Sequence, residues 1–277
     1  MSIFQKLFKN KNAVKKDKAI AFVDYEHWYY SIQKNFGLKP EPVSWRRKLE
    51  EQYDLEDVMV FADFGHKGID GELTKLRNMT NTIIETQQTF SRYKKDMTDF
   101  IMLDYIYQTA YSKPDITTFI IFTGDGHFQS VTKYLIQKLN KTVIIYGVRD
   151  SVSKQLRTVA SECYMLPTDA ETLRGYYEMI VSNLAYVSEK SNIIPTFNGT
   201  VSAVARHNEV PEELIHAALQ EMLDKGLIYQ RLQRVAFNKE VKVVAANWEE
   251  LAKQGLWSFN KKIFVRIGRK ISGSFFA

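Results

Sequence analysis

Short continuous apolar runs recur along the first 167 residues of this 277-residue chain and alternate with stretches whose apolar residues fall at helical spacing. Four runs are the clearest candidates for buried strands, at residues 19–23, 58–62, 119–122 and 142–146. A strand that is apolar on both sides is typical of a parallel sheet covered by helices on both faces. Residues 18–167 therefore predict an α/β domain with a parallel sheet, closed by Pro167.

Weaker patterns complete the alternation. Two further strands are predicted at residues 82–86 and 164–166, and helices are predicted at residues 25–35, 45–52, 73–79, 99–111, 129–135 and 153–160.

Aspartates lie at the ends of the predicted strands. Asp24 and Asp63 directly follow the first two runs, and Asp125 lies in the segment Thr-Gly-Asp-Gly after the third. The carboxyl ends of parallel strands share one edge of the sheet, where α/β proteins bind ligands. Carboxylates that converge there repel one another unless a cation lies between them, and oxygen ligands suit Mg²⁺ or Mn²⁺.

Helix capping is the alternative for each single aspartate. Capping or plain solvent exposure is the preferred interpretation for Asp63 and for Asp104, which lies inside the predicted helix 99–111. For Asp24 and Asp125 together a metal site is favoured, because each follows a strongly apolar strand.

The order of these motifs resembles the NYN domain, a branch of the PIN-like ribonucleases. The resemblance rests on Asp24 after the first strand, on residues 95–99 at the start of a helix, and on Gly124-Asp125-Gly126-His127-Phe128, and it spans residues 18–167. It implies a Rossmann-like (PIN-like) sandwich in which acidic residues hold Mg²⁺ or Mn²⁺ and cleave RNA to leave a 5′ phosphate. It also implies that Asp24, Asp99 and Asp125 are the catalytic and metal-holding residues.

Two histidines depart from the family pattern. His27 stands where the family often has asparagine, and His127 stands where it often has a second acid. A neutral imidazole can bind a metal or transfer a proton, but the change removes a negative ligand. Either the site works with three acids, or the domain binds RNA without cutting it. Both histidines are auxiliary candidates, and the other auxiliary candidates are Asp63, Asp96 and Asp104.

Cations and aromatic residues near these acids suit single-stranded RNA. Arg92, Lys94 and Lys95 precede Asp99 and are candidates for phosphate contacts, and Trp28 is a candidate for stacking on a base. For any one aromatic residue, packing in the core is the competing interpretation.

Residues 168–250 predict a second, mainly helical domain. Helices are predicted at 170–188, 200–207 and from Val210, the last with a buried face of Leu214, Ile215, Ala218, Leu219, Met222 and Leu223. Residues 227–229 and 234–237 are predicted as two wing strands. By outline alone this resembles a winged-helix module such as the LOTUS domain. The alternative is a packing or dimerisation module, so a homo-oligomer stays open.

Cations in the second domain favour nucleic acid, namely Arg206, Lys225, Arg231 and Arg234, whereas the acids of the helix from Val210 argue against that helix reading a groove.

The two ends of the chain are basic. Residues 1–18 carry a net charge of +5 and residues 251–277 carry +6, so the rest of this +6 chain is acidic. An arm (1–17) and a tail (251–277) of this kind suit RNA phosphates, and Ile3, Phe4, Leu7 and Phe8 also fit a membrane surface. No transmembrane segment or signal peptide is predicted, which favours the cytoplasm, and one cysteine excludes an internal disulfide.

The sequence thus predicts a metal-dependent ribonuclease with a C-terminal nucleic-acid-binding or interaction module. The alternative is a weakened NYN-type RNA-binding or regulatory adaptor. A phosphatase of the haloacid-dehalogenase type is a third class, but it normally needs Asp-x-Asp after the first strand, and Asp24-Tyr25-Glu26 does not supply it.

Overall fold

Two compact units make up the chain. A computed structural model describes residues 16–65, 68–86, 97–190, 192–236 and 238–258. The division between the units falls between Pro167 and Thr168, and Phe36–Leu38 group with the second unit.

Six parallel strands form the sheet of the first unit. They are β1 (Lys18–Asp24), β2 (Asp54–Ala62), β3 (Ile83–Glu85), β4 (Thr118–Phe122), β5 (Thr142–Val148) and β6 (Glu162–Leu166). Their order across the sheet is β3-β2-β1-β4-β5-β6, and each neighbouring pair is parallel. The predicted α/β fold with a parallel sheet is therefore confirmed.

Helices follow the strands in the predicted alternation. They are α1 (Tyr25–Phe36), α2 (Pro42–Gln52), α3 (Leu73–Arg77), α4 (Thr98–Ser112), α5 (Gln129–Leu139) and α6 (Lys154–Val159), with short 3₁₀ turns at Asp70–Glu72 and Gly126–Phe128. The largest differences from the sequence prediction are the start of β2, four residues earlier at Asp54, and the end of α5, four residues later at Leu139. The helix α2 begins three residues earlier, at Pro42. A proline fits there because the first helical residue has no partner for its N–H.

Both faces of the sheet are buried, as the continuous apolar runs require. Ile20 and Phe22 of β1 pack in the cluster that contains residues of α4, α5 and α6, whereas Trp28 of α1 stacks on Phe122 of β4 on the opposite face, with ring centroids 4.1 Å apart. Trp28 is only 2% exposed. The assignment of Trp28 to base stacking is therefore wrong, because neither face of its ring is open to a base.

The second unit contains four helices and one antiparallel hairpin among its described residues. They are α7 (Asp169–Ser188), α8 (Phe197–Asn208), α9 (Glu212–Asp224), β7 (Ile228–Ala236), β8 (Lys239–Ala246) and α10 (Trp248–Lys253). The N–H of Val244 also donates to the carbonyl of Pro195, which brings the segment before α8 alongside β8. None of the described helices is both long and apolar enough to cross a membrane.

Two sequence predictions for the second unit are wrong. The two predicted wing strands, 227–229 and 234–237, fall largely on the single strand β7, and the partner strand β8 was missed. The turn lies at Asn238, which adopts the left-handed conformation that asparagine tolerates. The turn is therefore not marked in the sequence by a glycine. Leu214, predicted to be buried, is 42% exposed.

We predict that Trp28→Ala lowers the free energy of unfolding by about 3–5 kcal/mol, because it leaves a large cavity beside Phe122. Urea unfolding followed by far-UV circular dichroism measures the change. The matched control is Tyr30→Ala on the same helix, which removes a side chain that is 41% exposed and should cost less than about 1 kcal/mol. Equal losses for the two variants would contradict the burial described here.

Candidate metal centre

The sheet reverses its strand order between β1 and β4. From β1 the chain continues outward to β2 and β3, whereas from β4 it continues to β5 and β6 on the other side. Val23 pairs with Phe122, so the carboxyl ends of the two strands lie next to each other. In doubly wound sheets a crevice opens at this position, and ligands bind there. Asp24 ends β1, and Asp125 lies three residues beyond the end of β4.

Asp24 is almost fully buried and holds this edge together. Its carboxylate accepts a hydrogen bond from the N–H of His27 (3.0 Å) and one from the hydroxyl of Thr123 (3.3 Å). The Thr123 oxygen in turn accepts the N–H of Asp125 (3.2 Å). One buried hydroxyl thus connects the acid at the end of β1 to the main chain of the acid beyond β4.

Gly124 lets the loop after β4 pack against its neighbours. A Cβ at this position would overlap the imidazole of His27 and the carbonyl oxygen of Ser151. The Gly124 carbonyl accepts the N–H of Ser153 (2.9 Å), which ties the loop to the segment after β5. The position of Asp125 therefore depends on the absence of a side chain at residue 124.

His27 is a packing residue in this arrangement. Its Nε2 atom is buried and has no hydrogen-bond partner among the described residues. Burial lowers the pKa of His27, and the negative charge of Asp125 opposes that shift in part. The imidazole that packs against Gly124 is therefore neutral, because charging a buried ring costs solvation free energy.

Asp99 reaches the same edge from α4. The preceding residue, Thr98, is buried and shares a hydrogen bond of 2.7 Å with the hydroxyl of Thr86. The N–H of Thr86 donates to the carbonyl of Ala62, the last residue of β2. The start of α4 is therefore attached to the carboxyl end of the sheet, and Asp99 lies in its first turn.

Asp99, Asp125 and His127 form one group, which we call the acid–histidine cluster. The Nδ1 atom of His127 lies 3.1 Å from Oδ1 of Asp125 and 3.9 Å from Oδ2 of Asp99. One donor atom from each of the three residues lies within 4.8 Å of the other two. The main-chain N–H of His127 separately donates to Asp125 (2.8 Å), which caps the 3₁₀ turn at 126–128.

The acid–histidine cluster is open to solvent. The side chains of Asp99, Asp125 and His127 are 27%, 36% and 80% exposed, respectively. Two carboxylates and an imidazole around one point form a donor set for a divalent cation, and without a cation the two carboxylates repel each other. The open side leaves room for an extended substrate.

The three acids predicted as ligands do not all converge. Asp99 and Asp125 come together, and the third member of the group is His127, whereas Asp24 lies outside it and bonds to Thr123.

Among the auxiliary candidates, Asp63 accepts the N–H of Gly65 in a local turn, and Asp104 is exposed and accepts from Gln108 on α4. These contacts agree with the capping or surface role preferred for both acids, and neither acid belongs to the cluster. The predicted site residues Arg92, Lys94, Lys95 and Asp96 lie outside the described residues.

Sequence reasoning missed two residues of this region. Thr123 was treated only as part of a motif, although its hydroxyl links Asp24 to Asp125. Phe100 follows Asp99 and is 66% exposed, so its ring is open to solvent. The sequence contains a signal for this exposure, because Phe100 lies off the stripe of buried residues that begins at Thr98 and Met102 in α4.

Comparisons with known proteins identify the family and the fold of residues 18–167. The family model of the NYN domain matches residues 18–167, which is more than half of the chain. A crystal structure of a protein of unknown function from Vibrio parahaemolyticus is similar in fold, with a TM-score of 0.51 and 19% sequence identity, and the match covers 57% of this chain and 97% of that one. The comparison with curated proteins found no match.

We predict that Gly124→Ala displaces the loop that carries Asp125, because the new Cβ overlaps His27 and Ser151. We expect a loss of about 1–3 kcal/mol in the free energy of unfolding, together with weaker Mn²⁺ binding measured by titration calorimetry. The control is Gly71→Ala, where no atom lies within 4 Å of the added Cβ. Wild-type stability and Mn²⁺ affinity in Gly124→Ala would show that the loop tolerates a side chain.

Proposed function

Because the chain belongs to the NYN domain family, whose fold is that of the PIN-like nucleases, we propose that it is a divalent-metal-dependent ribonuclease. The substrate is single-stranded RNA, and the reaction is hydrolysis of a phosphodiester bond. The observation that carries the proposal is the acid–histidine cluster at the strand-order reversal of the sheet.

The donor set of the cluster fits a divalent ion. The Nδ1 atom of His127 lies 3.1 Å from Asp125 and 3.9 Å from Asp99. Both distances are shorter than two metal–ligand bonds of about 2.0–2.2 Å each, so His127 can share an ion with either acid. Asp99, Asp125 and His127 would hold the ion. When bound, it supplies a Lewis acid that stabilises negative charge on the phosphate and lowers the pKa of water.

The chain's own residues would position the divalent ion and neutralise its charge. Asp99 and Asp125 supply two negative charges from different parts of the sequence, and their separation is set by the attachment of α4 and of the loop after β4. Asp24 acts behind them as a positioning residue, because its bond to Thr123 orients the main chain of Asp125. In this proposal Asp24 is a positioning residue and not a ligand of the ion.

The exposure of the cluster favours a polymer over a small phosphate ester. Enzymes that act on small molecules commonly enclose them in a cavity, whereas the side chain of His127 is 80% exposed. A strand of RNA can cross such an open edge. For the base-stacking role expected of Trp28 we propose Phe100, which follows Asp99 in the chain and is 66% exposed. Phosphate contacts by Arg92, Lys94 and Lys95 stay a prediction.

A second RNA contact is proposed on the β7–β8 hairpin. Arg231, Arg234, Lys239 and Lys242 are exposed there, against one exposed acid, Glu240. By contrast, α9 begins with the exposed acids Glu212 and Glu213, and Lys225 after it is paired with Glu221 at 2.7 Å. The charge distribution therefore supports phosphate binding at the hairpin rather than at the helix, within the winged-helix outline of this unit.

We predict that wild-type protein cleaves a labelled single-stranded RNA in the presence of Mn²⁺, and that Asp125→Asn lowers the rate by at least about a hundredfold, since it removes a charged ligand. Gel analysis of the products measures the rate. The control is Asp104→Asn, which changes an exposed acid outside the cluster and should leave the rate within about twofold.

Three results distinguish the alternatives in that assay. RNA that binds but is not cleaved at any Mn²⁺ or Mg²⁺ concentration would contradict the ribonuclease proposal and favour the adaptor. Turnover of p-nitrophenyl phosphate in place of RNA would favour a phosphatase. Equal rates for Asp125→Asn and wild type would place the chemistry elsewhere.

We predict that the double variant Arg231→Ala, Lys242→Ala weakens RNA binding and makes the affinity less dependent on salt. Each lost phosphate contact should reduce the slope of log K against log salt by about 0.7 for a single strand, which fluorescence anisotropy at several salt concentrations measures. Lys225→Ala is the matched control, because Glu221 already neutralises that cation. Unchanged affinity and slope in the double variant would exclude the hairpin from RNA binding.

A further inference from the structure

One nitrogen atom of His127 faces both carboxylates of the acid–histidine cluster. Nδ1 lies 3.1 Å from Asp125 and 3.9 Å from Asp99. The ring itself is exposed to solvent. The imidazole therefore presents a nitrogen, and not its apolar edge, to the region between the two acids.

We propose that His127 is a metal ligand that makes this site select Mn²⁺ over Mg²⁺. Mg²⁺ is a hard ion that prefers oxygen ligands and gives up its water reluctantly. Imidazole nitrogen suits transition metals, while carboxylates suit Mg²⁺ and Mn²⁺ alike. A set of two carboxylates and one imidazole therefore favours the ion that accepts both kinds of ligand.

The imidazole of His127 is not needed to hold the turn in which it lies. The cap of the 3₁₀ turn is made by the main-chain N–H of His127, which donates to Asp125 at 2.8 Å. A substitution of the side chain keeps that bond. The ring is also 80% exposed, so its removal opens no cavity. A change in metal preference on substitution would therefore report on ligation and not on a collapsed loop.

The competing role for His127 is a built-in cation. A protonated imidazole 3.1 Å from Asp125 would offset the repulsion between the two acids without any metal. The two roles predict opposite effects of removing the ring. If His127 is a ligand, its loss weakens Mn²⁺ binding. If it is a substitute for the metal, its loss exposes two unneutralised carboxylates and strengthens Mn²⁺ binding.

The proposal rests on the proposed function only in requiring a divalent-ion site, and its test needs no RNA. Titration calorimetry with Mn²⁺ and with Mg²⁺ is carried out on the full chain for wild type, His127→Asp and His127→Ala. The control is His207→Asp, which makes the same change at an exposed histidine at the end of α8 in the second unit. Circular dichroism confirms that each variant is folded.

We expect wild type and His207→Asp to bind Mn²⁺ at least about tenfold more tightly than Mg²⁺. In His127→Asp the preference should fall by roughly tenfold, because a third carboxylate serves Mg²⁺ as well as Mn²⁺, and that factor is within the range by which metal-site substitutions change affinity. His127→Ala should bind Mn²⁺ more weakly than wild type.

Electron spin-echo envelope modulation of bound Mn²⁺ gives a readout that a purely structural role would not change. We expect a nitrogen coupling in wild type and in His207→Asp, and its loss in His127→Asp. An unchanged Mn²⁺/Mg²⁺ preference in His127→Asp, tighter Mn²⁺ binding in His127→Ala, or a nitrogen coupling that survives in His127→Asp would each overturn the proposal. Because these measurements involve no RNA, a site that binds Mn²⁺ through His127 but does not cleave RNA would refute the ribonuclease proposal alone.

Discussion

The parallel pairing of β1 with β4 is the constraint on which the candidate site depends. It joins the two halves of the sheet and brings the end of one buried strand beside the end of another, as the pairing of Val23 with Phe122 records. The buried hydroxyl of Thr123 then connects Asp24 to the main chain of Asp125. Both strands are buried on both faces, and the loop beyond β4 is attached to them through Thr123.

Much of the first unit could be predicted because its apolar runs are compatible with few structures other than buried parallel strands. A run such as residues 19–23, apolar on both sides, fits a covered parallel strand, and an acid at the end of such a strand must lie at the carboxyl edge of the sheet. The location of Asp125 followed from that reasoning. His127 was only an auxiliary candidate, because the sequence does not show how near Asp99 comes to the loop after β4, and the start of α4 is attached by the contact between Thr86 and Thr98.

The failures have equally physical causes. The helical spacing of the aromatic residues in α1 does not show which of them face the sheet. In the structure, the helix buries Tyr25, Trp28 and Tyr29 together. In the second unit, β8 carries exposed residues at its start on both faces of a ribbon, so it lacks the clean alternation that marks a strand. The hairpin that results presents cations, while the more regular helix α9 presents acids, and this reverses the usual expectation for a helix-turn-helix module.

Membership of the NYN domain family and the open acid–histidine cluster support the same account, in which carboxylates from α4 and from the loop after β4 share an ion at the strand-order reversal. The most direct test is a crystal of the full chain soaked in Mn²⁺ and measured for anomalous scattering. The account predicts one strong anomalous peak within bonding distance of Asp99, Asp125 and His127. A peak bound elsewhere, or no peak at Mn²⁺ concentrations that saturate the protein in solution, would contradict it.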